Sequence, residues 1–222
     1  MKSTGLFIFS FLIGIGLVFG YLKLKVNDTP QQKTVAKKQI STTPTFSIET
    51  PPSESLKGSI VSKTGIIFWE SRIATAPSEL KENVQIQQGE ELLTHEKSGI
   101  TVNFDQVGTI VLSENADLSF IQTLPVDFVV EQKNGTIKYT MNGKTPLSIK
   151  IRSALITKTS GEIQITATDG DPIVLISTLQ GTAKIGFNDL DYVSQVFTLR
   201  EGQMYEYNSD ERTAINSELV PR

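Results

Sequence analysis

The chain of 222 residues contains no cysteine and a single histidine, His95. Without cysteine it forms no disulfide, has no thiol chemistry, carries no lipid on a thiol and lacks most structural zinc sites. A Ser-His-Asp triad would have to use His95, which lies in a polar stretch with no nucleophile motif beside it. We therefore predict no catalytic residue and no cofactor, and an enzyme of unrecognised type is only the third alternative.

Metal and phosphate motifs are also missing. Asp169 with Asp171 and Asp189 with Asp191 place carboxylates close together, but the Asp/Asn ladder and the final bidentate Glu of a calcium loop are absent. We interpret all four as turn residues and predict no metal site. No glycine-rich run leads into a helix, so the backbone donors of a phosphate loop have no scaffold.

What the sequence does contain is one long apolar run. Residues 5–22 include no charged side chain, and at ~1.5 Å rise per residue they would form ~27 Å of helix, close to the roughly 30 Å of a bilayer core. We predict a transmembrane helix that follows a short N-terminal tail, residues 1–4. The positions after it are bulky, as at Phe19, Tyr21 and Leu22, which favours a retained signal anchor over a cleaved signal peptide. Cleavage stays the alternative.

The remainder divides into a linker and one domain. Residues 23–57 are rich in Thr, Lys and Pro and predict a flexible linker; residues 58–212 suit a single domain, and residues 213–222 form a C-terminal tail. Up to Lys57 there are seven lysines and three acids, a balance of +4, and from Gly58 onward 14 basic and 21 acidic residues, a balance of −7. An acidic domain argues against a nucleic-acid partner.

Within the domain the apolar residues repeat with a period of two. Ile100, Val102 and Phe104 alternate with polar residues, and so do Ile137, Tyr139 and Met141. This alternation is typical of strands with one face inward and one face in water. No window after residue 22 shows a convincing helical period, so the prediction is an all-β domain of about a dozen short strands.

Glycines mark the turns. Asn134-Gly135 and Asn142-Gly143 carry the dipeptide of type I′ turns, which predicts two hairpin reversals around one strand. Further glycines recur at intervals of 19 to 27 residues from Gly89 to Gly202. This spacing favours a rolled or solenoid-like β arrangement, with a β-sandwich as the alternative.

Several short motifs, in their order, resemble the FecR-type domain. The run from Gly58 to Val61, then Val84 to Thr94 with Gly89, then Gly99 to Phe104 is similar to the opening of that family. Leu179-Gln180-Gly181-Thr182 resembles its later strand-glycine-strand pattern, and Leu199 to Gln203 resembles its end. The resemblance covers about residues 58–207.

The resemblance implies an extracytoplasmic β-rich domain of a single-pass protein of the bacterial cell envelope. Founding members of the family sense a loaded outer-membrane transporter and relay the signal to a σ factor through a helical domain before the membrane segment. Only Met1 to Thr4 stand at that place here, so we expect a FecR-like protein without the cytoplasmic σ-binding domain. The lysines from Lys23 to Lys38 follow the apolar run and favour a cytoplasmic domain by the positive-inside rule. The resemblance favours the outside, and the reversed orientation, a cytoplasm-facing scaffold, stays the alternative.

Function is therefore predicted as non-enzymatic binding or sensing of an envelope protein. A glycan- or peptidoglycan-binding module is the second hypothesis, because exposed aromatic rings stack on sugars. Trp69, Tyr205 and Tyr207 are the candidate partner contacts, since large rings often carry binding energy. The lipid bilayer is the other expected partner, through residues 5–22. A patch of exposed apolar residues or an open sheet edge would favour protein binding.

Overall fold

The computed structural model describes residues 50–218, and every regular element in this part of the chain is a β-strand. The prediction of an all-β domain is confirmed. The predicted N-terminal tail, the predicted transmembrane helix and residues 23–49 of the predicted linker lie outside the described residues. Within residues 50–218 no helix is long and apolar enough to cross a bilayer.

Fifteen strands pair in one sheet, and every pairing is antiparallel. The last strand, Thr213–Glu218, lies within the predicted C-terminal tail, residues 213–222. The strands are β1 (Gly58–Thr64), β2 (Ile67–Glu70), β3 (Ser78–Glu79), β4 (Gln85–Ile86), β5 (Glu91–Thr94), β6 (Gly99–Phe104), β7 (Gly108–Leu112), β8 (Asp117–Leu124), β9 (Asp127–Ile151), β10 (Ala154–Ala167), β11 (Ile173–Gln180), β12 (Thr182–Asn188), β13 (Ser194–Arg200), β14 (Gln203–Asn208) and β15 (Thr213–Glu218).

The alternation seen in the sequence is what builds the core. On β6, Ile100, Val102 and Phe104 are buried while the residues between them are half-buried. Because successive side chains of a strand point to opposite faces, each strand contributes every second residue to the same interior. Two groups of rings fill it: Phe104, Phe120 and Phe128 in the first, and Phe187, Phe197, Tyr205 and Tyr207 in the second.

The two predicted hairpins at Asn134-Gly135 and Asn142-Gly143 are wrong. Both dipeptides lie inside β9, which continues from Asp127 to Ile151 without a hairpin turn. Each glycine does take the left-handed conformation, with φ of 83°, but a single left-handed residue also fits a bulge. Gly143 lies in such a bulge, because the pairing of β9 with β10 skips the residues between Asn142 and Leu147.

β9 curls back along its length. Lys150 Nζ lies 3.2 Å from Glu131 Oε1, although the two residues are 19 positions apart on one strand. A straight strand would separate them by roughly 60 Å, at ~3.3 Å per residue. The two ends of β9 therefore lie side by side, and the sheet is strongly curved around the core.

The sheet bends at two glycines after β9, and β10 changes its partner at the first of them. β10 pairs with β12 before Gly161 and with β11 after it, and only Gly181 separates β11 from β12. Gly161 and Gly181 have φ of 86° and 76°. A Cβ at Gly161 would lie 2.3 Å from the carbonyl oxygen of Gln180, so this bend admits no larger residue without a backbone shift. The bend directs β12 and β13 away from β11 and β14.

Candidate functional site

The three aromatic residues predicted as partner contacts lie in different surroundings. Tyr207 is fully buried and Tyr205 is 7% exposed, and both rings pack in the second aromatic group. Tyr205 and Tyr207 share one face of β14, and that face points into the core. Trp69 on β2 is half-buried, and its indole N–H donates to Glu90 Oε2 at 3.1 Å. Of the three rings, only that of Trp69 reaches the surface.

Exposed apolar side chains gather elsewhere, around β13. Of the twelve large apolar residues that are exposed in the described part of the chain, five lie on β10, on β13 or on the loop between β12 and β13. Single exposed apolar residues are common on protein surfaces, so a concentration of them on neighbouring elements is the feature of interest. The five are Leu155, Leu190, Tyr192, Val193 and Val196.

Strand register aligns the centre of this patch. Leu155 on β10 pairs with Gly186 on β12, and Gly186 pairs with Val196 on β13. The side chains of Leu155 and Val196 stand on the outer face, 45% and 69% exposed, with the glycine between them. The result is a groove of about 570 Å³, which we call the Gly186 groove; it also borders Lys150, Arg152, Ser153, Ala154, Phe187, Asn188, Ser194 and Gln195.

β13 is also an open edge. It pairs with β12 along Ser194–Arg200, and no other strand within residues 50–218 pairs with it. An edge strand presents unpaired N–H and C=O groups to which another chain can add. The Gly186 groove thus lies beside a strand that can accept a partner.

The loop between β12 and β13 is held by one carboxylate. Asp189 Oδ1 accepts the backbone N–H groups of Asp191 and Val193 at 3.0 and 2.9 Å, and its Oδ2 accepts from Gln195 Nε2 at 2.8 Å. The hydrogen bonds from Gln195 and then Val193 lower the pKa of Asp189. This carboxylate is therefore used within the loop, whose apolar residues face solvent. The Arg212 guanidinium lies 5.6 Å from the centre of the Tyr192 ring.

Charges near the groove are basic. Lys150 and Arg152 line it, and no carboxylate does. A smaller groove of about 230 Å³ on the same three strands is lined by Lys158 and Lys184, again with no carboxylate. This outer face of β10, β12 and β13, which we call the groove face, is positive on a domain that is acidic as a whole.

Lys158 serves the bend rather than the surface. It is 1% exposed, and its Nζ donates to the carbonyl oxygens of Gln180 and Thr182 at 2.7 and 3.2 Å, on both sides of Gly181. Burial lowers the pKa of Lys158, and the Glu201 carboxylate opposes this shift. Buried charges need such partners. The lysine therefore fixes the bend between β11 and β12.

The outer face of β5, β8 and β9 is different, and we call it the charged face. Lys133 bridges Glu91 and Asp117 there. Burial, and then the neighbouring Glu91 carboxylate, raises the pKa of Asp117 to about 7. Burial alone would raise the pKa of Glu91, but hydrogen bonds from Lys133 and Ser119 outweigh it and lower that pKa. The pair titrates as a unit, with one proton held preferentially on Asp117.

The remaining candidates for chemistry do not converge. His95 is exposed in the turn after β5. Asp171 Oδ1 accepts the backbone N–H of Ile173 at 2.9 Å, as expected of a turn residue. Within residues 50–218 no group of three His, Cys, Asp or Glu side chains lies close enough to hold a metal ion.

The fold resembles two crystal structures of a candidate anti-sigma factor from Parabacteroides distasonis ATCC 8503, determined at 1.65 and 2.50 Å resolution. The TM-score is 0.50 for both, with sequence identities of 12% and 13%. The match covers 58% of this chain and 59% of the other chain, so this chain matches well under two thirds of its neighbour's length. At this identity the likeness is one of fold.

No protein-family model matches the chain, and no curated protein matches it either.

Sequence reasoning missed the residues of the Gly186 groove. Leu155 precedes Ile156 and Val196 precedes Phe197, so two apolar residues in a row conceal which one points outward. Ile156 is fully buried and Phe197 is half-buried against the core. Gly186, a glycine inside an alternating strand, was the available signal.

Proposed function

We propose that this chain is a FecR-like protein anchored by residues 5–22 in the membrane of a bacterial cell, and that its β domain binds another envelope protein without catalysing a reaction. The sequence resemblance and the fold shared with a candidate anti-sigma factor support this proposal. The curl of β9 supports a rolled, FecR-like arrangement of the sheet. The resemblance to FecR-type domains favours the extracytoplasmic side, and with it an envelope protein rather than a σ factor as partner.

One observation carries the binding role. The exposed side chains of Leu155 and Val196 line the Gly186 groove, which lies beside the open edge of β13, and three more exposed apolar residues lie on the loop that leads into β13. Burying either feature against a partner would be favourable, since apolar area leaves water and edge groups gain hydrogen bonds. Tyr192 is the one ring among the five exposed apolar side chains, which favours a protein over a glycan as the occupant.

The absence of cysteine allows a direct test with the full chain. Val196→Cys places a unique thiol at the groove, and Val61→Cys places one on β1 at a similar exposure, 65% against 69%. A maleimide that does not cross the cytoplasmic membrane should label both variants in intact cells. A photo-crosslinker attached to the thiol should then give a discrete adduct with a second protein from position 196 and none from position 61.

Either half of this experiment can overturn the proposal. If neither thiol is labelled until the cells are opened, the domain lies in the cytoplasm and the envelope role is wrong. Equal adducts from both positions, or none from either, would mean that the surface around β13 is no binding site.

A further inference from the structure

Gly186 lies at a position where the fold does not require glycine. Its φ lies outside the left-handed region that favours glycine, and an added Cβ would meet only the carbonyl oxygen of Gln195 at 3.8 Å and Val196 Cγ2 at 3.9 Å. Both distances are ordinary van der Waals contacts. This contrasts with Gly161 and Gly181 at the bend, which have positive φ.

A glycine within a strand weakens that strand, because it has no side chain to pack and gains more freedom on unfolding. Where the backbone does not need it, an interior glycine often marks the close approach of a ligand or of another chain. Gly186 sits between Leu155 and Val196, so the missing side chain is what opens the groove. An apolar side chain of a partner can enter there and contact both walls.

The charged residues around the groove determine which partners with such a side chain would fit. Lys150 and Arg152 line the groove, and Lys184 is exposed on the neighbouring row of the same face. Lys150 contacts Glu131, and Arg152 donates to Thr168 O and Asn134 Oδ1. Among the hydrogen bonds and ion pairs of the described residues none involves the Lys184 ammonium. In the loop between β12 and β13, the Asp189 carboxylate accepts hydrogen bonds from the backbone of its own turn. The groove therefore presents positive charge beside an apolar wall.

We infer that the Gly186 groove binds an acidic segment of a partner protein, with one large apolar side chain seated over Gly186 between Leu155 and Val196 and with carboxylates beside Lys184 and Arg152. This inference rests on the proposed function and specifies the chemistry of its partner. Complementary charge of this kind raises the rate and the specificity of association. The contacts lie at a partly exposed surface, so salt should weaken them.

The test uses the full chain in mild detergent and three labelled peptides, measured by fluorescence anisotropy. In the first peptide leucines alternate with glutamates, in the second leucines alternate with lysines, and in the third serines alternate with glutamates. We expect the first to bind at least about ten times more tightly than either of the others, and its affinity to fall as salt rises. Equal binding of all three, or tighter binding of the lysine peptide, would overturn the inference.

Gly186→Thr is the most informative variant, because filling the groove should lower the affinity for the peptide without lowering the stability of the domain. A β-branched residue suits this strand position, so the unfolding temperature should stay or rise while affinity for the first peptide falls at least tenfold. Lys184→Glu should weaken binding severalfold, whereas Lys144→Glu, an exposed lysine in the bulge of β9, should not. Unchanged peptide affinity in Gly186→Thr would contradict the inference.

The cross-linking experiment separates this inference from the function on which it rests. If Gly186→Thr retains the adduct from position 196, the domain binds a protein but not through the groove, and this inference alone fails. Adducts of twice the mass of the chain would identify a second copy as the occupant, which also overturns it. Absence of any adduct from position 196 in the unaltered background counts against the proposed function itself.

Discussion

The charged face and the groove face belong to one sheet but differ in ion pairing and in the exposure of apolar side chains. All four ion pairs found within residues 50–218 use a lysine of β9: Lys133, Lys138 or Lys150. No residue of β12 or β13 takes part in one. The groove face instead carries exposed apolar side chains, and its Lys184 forms none of these ion pairs. Lys133 pairs the carboxylates of the charged face, whereas the groove face keeps an unpaired cation, and this difference is why we propose the groove face as the binding surface.

The cores beneath the two faces differ in how fully their aromatic rings are buried. Phe104, Phe120 and Phe128 are fully buried, and their rings lie 4.8 to 5.5 Å apart, measured between centroids along the chain of contacts. Phe197 on β13 is only half-buried, although it stacks on Phe187 at 5.8 Å. Since β13 has one paired edge, the core below it is less enclosed. The proposed binding surface therefore lies over the less enclosed part of the core.

The largest expected effect tests this difference between the cores. Phe128→Ala should lower the free energy of unfolding by about 3–5 kcal/mol, because it removes a fully buried ring and leaves a cavity. Phe197→Ala should cost less, roughly 1–2 kcal/mol, since part of that ring is already in water. Urea unfolding of the full chain, followed by the fluorescence of Trp69, measures both. Equal losses would show that the core under β13 is as enclosed as the other.

A smaller effect is expected at the bend that separates the groove face from the rest of the sheet. Gly202→Ala, in the turn between β13 and β14, is the control outside the bend: with φ of 77° and no atom within 4 Å of the added Cβ, it should cost about 1 kcal/mol of conformational strain. Gly161→Ala adds a clash with the carbonyl oxygen of Gln180 and should cost roughly 2–4 kcal/mol. Thermal or urea unfolding compares the two variants. Similar costs would mean that the bend yields easily and that the two faces are not rigidly separated.

The sequence predicted well which strands exist, but it did not predict where the chain reverses and where a strand only bulges. Alternation at Ile100, Val102 and Phe104 predicted β6 correctly, because burial of one face imposes a period of two on the residues themselves. The dipeptide Asn142-Gly143 misled, because positive φ at a glycine fits a bulge as well as a reversal, and the choice depends on long-range pairing with β10.

Local sequence patterns could not predict the candidate site, for a related reason. Exposure of Leu155 and Val196 depends on the register of three strands from distant parts of the chain, which pairs Leu155 with Gly186 and Gly186 with Val196. Alternation placed Tyr205 and Tyr207 together on one face, but only the packing against Phe187 and Phe197 shows that this face is the inner one. The resemblance to FecR-type domains predicted a β-rich domain but no contact residue.

The smallest of the three expected effects concerns pH and belongs to the charged face alone. The pKa of Asp117 is raised to about 7 in the folded chain, so between roughly pH 4 and 7 the native state holds a proton that the unfolded chain has released. The contribution of Asp117 to stability is therefore complete below pH 4 and is lost as the pH rises to 7. Glu91, whose pKa is lowered, acts in the opposite direction but below its ordinary pKa.

Asp117→Asn should remove this dependence. The unaltered chain should lose roughly 1–3 kcal/mol of stability relative to the variant between pH 5 and pH 8, the range reflecting the partial compensation by Lys133. Urea unfolding at the two pH values measures the difference, and Asp210→Asn, at an exposed carboxylate in the turn before β15, is the matched control. If Asp117→Asn and Asp210→Asn changed stability in parallel, the carboxylates of the charged face would be as solvated as any on the surface, and the contrast with the groove face would rest on apolar exposure alone.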